Sequence, residues 1–356
     1  MFSAADTLIL SIVVVVCALC LIGLSYYFYR HIKTYDDFNM AGRATGTFPL
    51  ICTLVGTAVG GSTLLGFMSK GFQHGLGQMW LPGAITIAGV LLLFLVRRIR
   101  AYGERFNMVT LADFMVNRYG DGARLPTVIS MVCAYSAITG MQFVAIATVL
   151  NLIFDLDIAH GIILTWVVLT LKTYLGGLKA VIWSDAILGT LQTLGIFLLL
   201  TIVYQVSGGW EGIATSEKLI GQEDFLDING IGSDDLFIYL LTIGGYQFVR
   251  QDLWQRFWAA KSAQVAYTSY SVAVAFNLLV AGAAVLIGCF AYLGMNLSVA
   301  NPDLTFYAVL EATLPLPMIA LMIVVLLATV VSCADSFFIA GASSIANDII
   351  KPRLKV

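Results

Sequence analysis

Hydrophobic and polar positions divide the chain into apolar runs separated by short polar or basic intervals. Most runs are near the ~20 residues that a helix needs to cross a bilayer. Nine runs predict nine transmembrane helices, at 8–28, 47–68, 77–96, 125–154, 159–176, 180–206, 236–256, 264–292 and 315–347. The last is long for a span and is expected to tilt or protrude. The first is too long for a signal-peptide core and lacks a small-residue cleavage site, so it is expected to be retained. Between spans, NMVTLADFMVNR at 107–118 is amphipathic and is expected to lie along the inner membrane surface. The interval 208–235 is the longest without an apolar run and predicts a boundary between two halves.

Composition agrees with this pattern. Hydrophobic residues make up 59% of the 356 positions and charged residues only 11%, against roughly 25% charged in a soluble domain. A soluble enzyme, a nucleic-acid binder and a disordered scaffold are excluded; an all-α polytopic membrane protein remains. The six cysteines all fall in apolar stretches without a CxxC pair, which predicts reduced thiols and no zinc site. The net charge of −2 is uninformative, but the distribution of charge is not. With the N-terminus outside and the C-terminus cytoplasmic, 17 of 19 basic residues fall on the inner side, including Lys172, Arg250, Arg256 and Lys355, and only Lys70 and Lys218 outside. That asymmetry fixes the expected orientation in a plasma or inner cell membrane. The 208–235 loop is mostly acidic, which suits either an ordinary solvated loop or a vestibule that gathers cations.

Candidate chemistry sits where the spans are interrupted or polar. The second span reads LICTLVGTAVGGSTLLGF, with Gly56, Gly60, Gly61 and Gly66 beside Thr57, Ser62 and Thr63. Glycines there either let another helix pack closely or let the backbone unwind and free carbonyl oxygens for a cation. The seventh span has a partial counterpart, Gly244–Gly245 followed by Tyr246 and Gln247. Paired interruptions in two halves point to a transporter's central site. In the ninth span Thr329, Ser332, Cys333 and Ser336 share a face, with Asp335 beside it, about 18 Å of helical rise from Asn347. Hydroxyls and a carboxylate suit Na⁺ or H⁺ rather than a transition metal; the bland alternative is a helix-packing hydrogen-bond face. Asp185 begins the sixth span after the turn-forming Gly176–Gly177, and Gln142 lies mid-span. Asp185 and Asp335 also raise a remote alternative, a two-aspartate intramembrane protease, although neither lies in a YD or GxGD context.

Three stretches carry a family resemblance. TYLGGLKAVIWSD, LWQRFWAAKSAQVA and VVSCADSFFIAGASSIANDII occur in the order and on the spans of the sodium:solute symporters, and the likeness covers about 5–350. The resemblance implies a LeuT-type fold, an extra N-terminal helix followed by two inverted repeats of five helices. On that basis 1–46 holds the extra helix and first inner loop, 47–206 the first repeat, 207–235 the outer loop, 236–350 three helices of the second repeat, and 351–356 a cytoplasmic tail. It further implies a conserved Na⁺ site from Gly56, Val59, Thr329, Ser332 and Cys333. A second cation or proton site would use Asp185, Asp335 and Ser336, and solute contacts would come from Thr63, Gln142, Tyr246 and Gln247.

The chain also departs from the family pattern. Cys333 replaces a usual hydroxyl and is a poor Na⁺ ligand. Lys172 replaces an apolar or tyrosine position, Leu188 stands where glutamine is common, and Asp335 replaces a serine, placing two carboxylates near the second site. Only three of five helices of the second repeat fit before Val356. This is expected of a truncated product or of a natural short form completed from elsewhere. The expected function is secondary active symport of a small organic solute with Na⁺ (or H⁺) and no covalent chemistry. The alternative is a transporter-derived sensor or a non-transporting module.

Overall fold

The computed structural model describes residues 4–354. Lys355 and the end of the 351–356 tail lie outside the described residues, as do the side chains of Ser62 and Glu223. The helices are α1 (Ala4–Tyr29), α2 (Tyr35–Met40), α3 (Thr47–Ala58), α4 (Gly61–His74), α5 (Trp80–Arg105), α6 (Leu111–Tyr119), α7 (Arg124–Phe154) and α8 (Ile158–Val206). They continue as α9 (Gly209–Ala214), α10 (Ser233–Tyr239), α11 (Gly245–Val249), α12 (Gln251–Ala259), α13 (Ala263–Leu293), α14 (Thr305–Thr313), α15 (Leu316–Ser344) and α16 (Lys351–Leu354).

Among the described residues six helices are long and apolar enough to cross a membrane, where the hydrophobic pattern predicted nine spans. Joining and splitting of helices account for the difference. The predicted spans 159–176 and 180–206 form one helix, α8, bent at Gly177, whose φ of 52° lies in the left-handed region. A Cβ at Gly177 would stand 2.7 Å from the Phe38 carbonyl, so only glycine fits that bend against α2. The second span is broken between α3 and α4, and α4 leads through a 3-10 turn over Gly75–Met79 into α5. The seventh span is cut into α10, a π-turn over Leu240–Gly244, α11 and α12.

The first break falls at Val59 (φ −110°, ψ 81°) and Gly60 (φ −83°, ψ 179°), so of the two readings of the glycine pattern the backbone shows the opened helix. The second does not fall at Gly244–Gly245, which remain helical. The backbone leaves the helix at Arg250, with ψ of 103°. The glycine pair is absorbed by the π-turn, while a buried ion pair and a tyrosine hydroxyl stabilise the opening five residues later.

α4, α7, α8, α13 and α15 enclose the larger apolar core, and α3, α5, α12 and α13 the smaller. Large apolar side chains on the outer faces remain uncovered: Phe94 is 77% exposed and Leu194 65%. These faces suit acyl chains rather than water. Just before α3, Thr45 donates its N–H to Ala259 O (3.0 Å) and accepts the Lys261 N–H (3.0 Å). This clasp ties the approach to α3 to the exit from α12. The amphipathic 107–118 segment forms α6, with a capping box between Thr110 and Asp113. Of the cysteines, Cys52, Cys289 and Cys333 are buried.

Three of the basic residues lie inside the helix bundle and not in loops. Lys172, Arg250 and Arg256, assigned to the inner side with the loop residues, are buried in the helix bundle at 1%, 5% and 0% exposure. Each is held there by a carboxylate, a pairing that hydropathy does not show.

Candidate functional site

Unwinding a helix in the bundle exposes backbone groups that need partners, because lipid offers none. At the first break, Gly61 N–H donates to Gln142 Oε1 (3.0 Å), and Gln192 Nε2 donates to Val59 O (2.8 Å). Both glutamines are fully buried. At the second break the Tyr135 hydroxyl donates to Asp252 Oδ1 (3.0 Å) and accepts the Asp252 N–H (3.1 Å), capping the start of α12. Arg250 folds onto the same carboxylate through Nη2 (2.6 Å) and Nε (3.1 Å). Tyr135 and Gln142 lie seven residues apart on α7 and so share a face. One helix thereby supports both breaks.

The expected solute residues cluster at these breaks. Thr63 lies in the first turn of α4 and Gln142 faces its N-terminus. Tyr246 and Gln247 lie in α11, immediately before the Arg250 break. The Arg250 guanidinium lies 6.0 Å from the Tyr246 ring and donates to Gln247 Oε1 (3.4 Å).

The residues expected at the conserved ion site meet where α3 packs against α15. A Cβ on Gly56 would come within 2.7 Å of Ser332 Oγ, so glycine is needed for this approach. Cys333 Sγ donates to Thr57 O (3.4 Å) and the Thr329 hydroxyl to Val325 O (2.8 Å). One lone pair of the Val59 carbonyl is taken by Gln192. Ser332 Oγ, a hard neutral oxygen, is the hydroxyl of this set that lies close to Gly56.

The second expected set is divided between two faces of α15. Ser332 donates to Asp185 Oδ1 (2.5 Å) and Thr53 to Asp185 Oδ2 (2.5 Å), while Arg256 Nη2 lies 3.5 Å from that second oxygen. Arg256 also donates to Thr53 (2.9 Å), to Thr57 (2.7 Å) and to Ser336 Oγ, which links Ser336 to Asp185 through the guanidinium. Asp335 turns instead toward the first half of α8. There it forms an ion pair with Lys172 and accepts the Thr173 hydroxyl (3.1 Å).

Three buried cations thus face three buried carboxylates: Lys172 with Asp335, Arg250 with Asp252, Arg256 with Asp185. An isolated charge here would cost several kcal/mol, and removing one partner of such a pair costs about 3–5 kcal/mol. Hydropathy gave no sign of Gln192, Asp252 or Arg256 at the site. One signal was available, because Gln192 lies seven residues after Asp185 and shares its helical face.

A cavity of about 420 Å³ is lined by Lys70, His74, Gln78, Asp224, Asp235 and Tyr239. Its lining carries both signs of charge, where the loop sequence alone reads as acidic.

An all-helical bundle with two supported helix breaks and a buried ionic network defines a membrane transporter. The family model for the sodium:solute symporter family matches residues 38–355, and the chain belongs to that family. The sodium/proline symporter of Salmonella typhimurium is 23% identical over 350 residues, covering 94% of this chain and 69% of the relative. That of Staphylococcus aureus (strain bovine RF122 / ET3-1) is 24% identical over 352 residues, covering 96% and 68%. A solved substrate-bound, outward-open Na⁺-coupled sialic acid symporter aligns with a TM-score of 0.80 at 19% identity. It covers 97% of this chain and 74% of that one. The fold is therefore the LeuT type, and the activity is sodium-coupled solute symport in a multi-pass membrane protein, not enzymatic turnover. Asp185 and Asp335 are accordingly not a proteolytic pair; each is held by its own cation.

Proposed function

We propose that this chain carries a small organic solute inward with Na⁺ by alternating access, the solute lying between the two helix breaks. The observation that carries the reading is the satisfaction of both breaks by buried side chains of α7 and α8. A helix opened in lipid without a function would be selected back to a continuous one, because every freed backbone group there costs free energy. The coupling ion is assigned to carbonyls of Gly56, Val59 and Thr329 with Ser332. Cys333 contributes through its backbone or not at all, since a thiol is a poor Na⁺ ligand. Asp185 with Ser336 forms a second polar centre, now neutralised by Arg256. Because Asp252 compensates Arg250, the solute site offers no unpaired cation, which favours a neutral or zwitterionic solute over a strongly anionic one.

The two broken helices, α3–α4 and α10–α12, each open a repeat, which supports 47–206 as the first repeat and 236–350 as part of the second. The loops bearing most basic residues face the cytoplasm, with the N-terminus outside and the membrane that of the cell. An inner latch closes that side: Thr110 donates to Asp348 (2.9 Å), Asn347 to Asp113 Oδ2 (3.1 Å) and Tyr35 to Asn347 (3.3 Å). Alternating access requires this latch between α2, α6 and the end of α15 to open.

The test is thermal stability of the purified chain in Na⁺ against equimolar K⁺ or choline, alongside solute counterflow in liposomes. Na⁺-specific stabilisation with counterflow supports the symporter. Binding without counterflow points to a transporter-derived sensor, and stabilisation that follows pH instead of Na⁺ points to proton coupling.

A further inference from the structure

The Lys172 ammonium is buried with only oxygen donors as polar partners. It is bonded to Asp335 Oδ2 and donates to Ser184 Oγ (3.3 Å), whose own proton goes to Val181 O (3.0 Å). The other oxygen of Asp335 accepts the hydroxyl of Thr173, the next residue in the chain (3.1 Å). A carboxylate and hydroxyls are the hard donors that would hold a monovalent metal cation. Away from Asp335, Lys172 borders an apolar cavity of about 100 Å³ formed by α1, α7, α8 and α15, whose lining includes Cys17, Leu150, Thr165 and Val331 and no acid. The next carboxylate on α8, Asp185, has its own cation, Arg256 from α12.

We propose that Lys172 is a tethered cation that permanently fills the ion position at Asp335. That position then takes no Na⁺ in the natural chain and accepts one when Lys172 is neutralised. The proposal rests on the reading above of the chain as a Na⁺-coupled symporter. Two cations a few ångströms apart in a low-dielectric interior repel strongly, so the ammonium and a Na⁺ are mutually exclusive there. Because it is covalently attached, Lys172 holds the site neutral through the whole transport cycle and removes one ion from the coupling stoichiometry.

The test is a Na⁺ titration of melting temperature in the full-length detergent-purified chain. Choline keeps the ionic strength constant, and mildly alkaline pH keeps a proton from competing. Lys172→Met is expected to gain one Na⁺-linked site, so its slope of melting temperature against log[Na⁺] rises by about one ion over the natural chain. In Lys172→Met/Asp335→Ser the slope returns to the natural value. If Lys172→Met folds only in Na⁺ and not in choline, that too is the expected result. A folded Lys172→Met with an unchanged slope overturns the proposal. So does a Lys172→Met chain that is unfolded in every salt, whether or not the double variant folds. A natural chain with no Na⁺ response refutes the Na⁺-coupling reading instead, and leaves the gain of one site in Lys172→Met as a separate result.

Discussion

Gln142 accepts the Gly61 N–H at 3.0 Å, so one α7 side chain supplies the partner that helix unwinding removed from the start of α4. Gln142→Ala leaves that donor unpaired in a buried site, at a cost of about 1–3 kcal/mol. Gln142→Glu keeps the acceptor. Thermal unfolding is expected to rank the alanine variant below the glutamate one, with solute affinity in equilibrium binding reduced most in alanine. Equal melting temperatures for Gln142→Ala and the parent would remove the capping role.

Ser332 stands between the carbonyls of the conserved ion site and Asp185. Ser332→Ala is expected to reduce Na⁺-dependent stabilisation, which for a single site at ~100 dissociation constants is about 2.7 kcal/mol. Stability in choline should change much less. Na⁺ titrations of melting temperature read both quantities, and unchanged Na⁺ affinity would exclude Ser332 as a ligand.

Arg256 bonds Thr53, Thr57 and Ser336 and faces Asp185 at 3.5 Å. Arg256→Met should destabilise by about 3–5 kcal/mol, because Asp185 is left as an unpaired buried charge. Arg256→Met/Asp185→Asn is expected to recover a substantial part of that loss. A double-mutant cycle of unfolding free energies measures the coupling; strict additivity would mean that the two charges do not interact.

Gly177 combines a φ of 52° with close approach to Phe38 O. Gly177→Ala should cost about 1–3 kcal/mol through backbone strain, lowering the melting temperature while leaving the Na⁺ slope intact. A variant as stable as the parent would show that the bend relaxes freely.

Period and length located the apolar runs because lipid demands long stretches without charge, and small residues located the first break because Gly60 must lie close to α15. Gly176–Gly177 marked the bend in α8 for a related reason: the left-handed conformation excludes most side chains. The second break was misplaced, since glycine content says where a helix is weak and not where tertiary contacts pull it open. Arg250 leaves the helix to reach Asp252 while Tyr135, on α7, takes the freed N–H.

The sequence by itself determined a helical membrane bundle, the weak point of its second span and the polar face of the ninth, because these follow from local polarity and backbone freedom. Only the tertiary structure decided which buried charge meets which. Lys172 reaches Asp335 across 163 positions of chain and Arg256 reaches Ser336 across 80. A lysine or arginine in sequence looks the same whether it snorkels to a loop or is neutralised in the interior, and pairing in a low-dielectric core depends on distances that only packing sets.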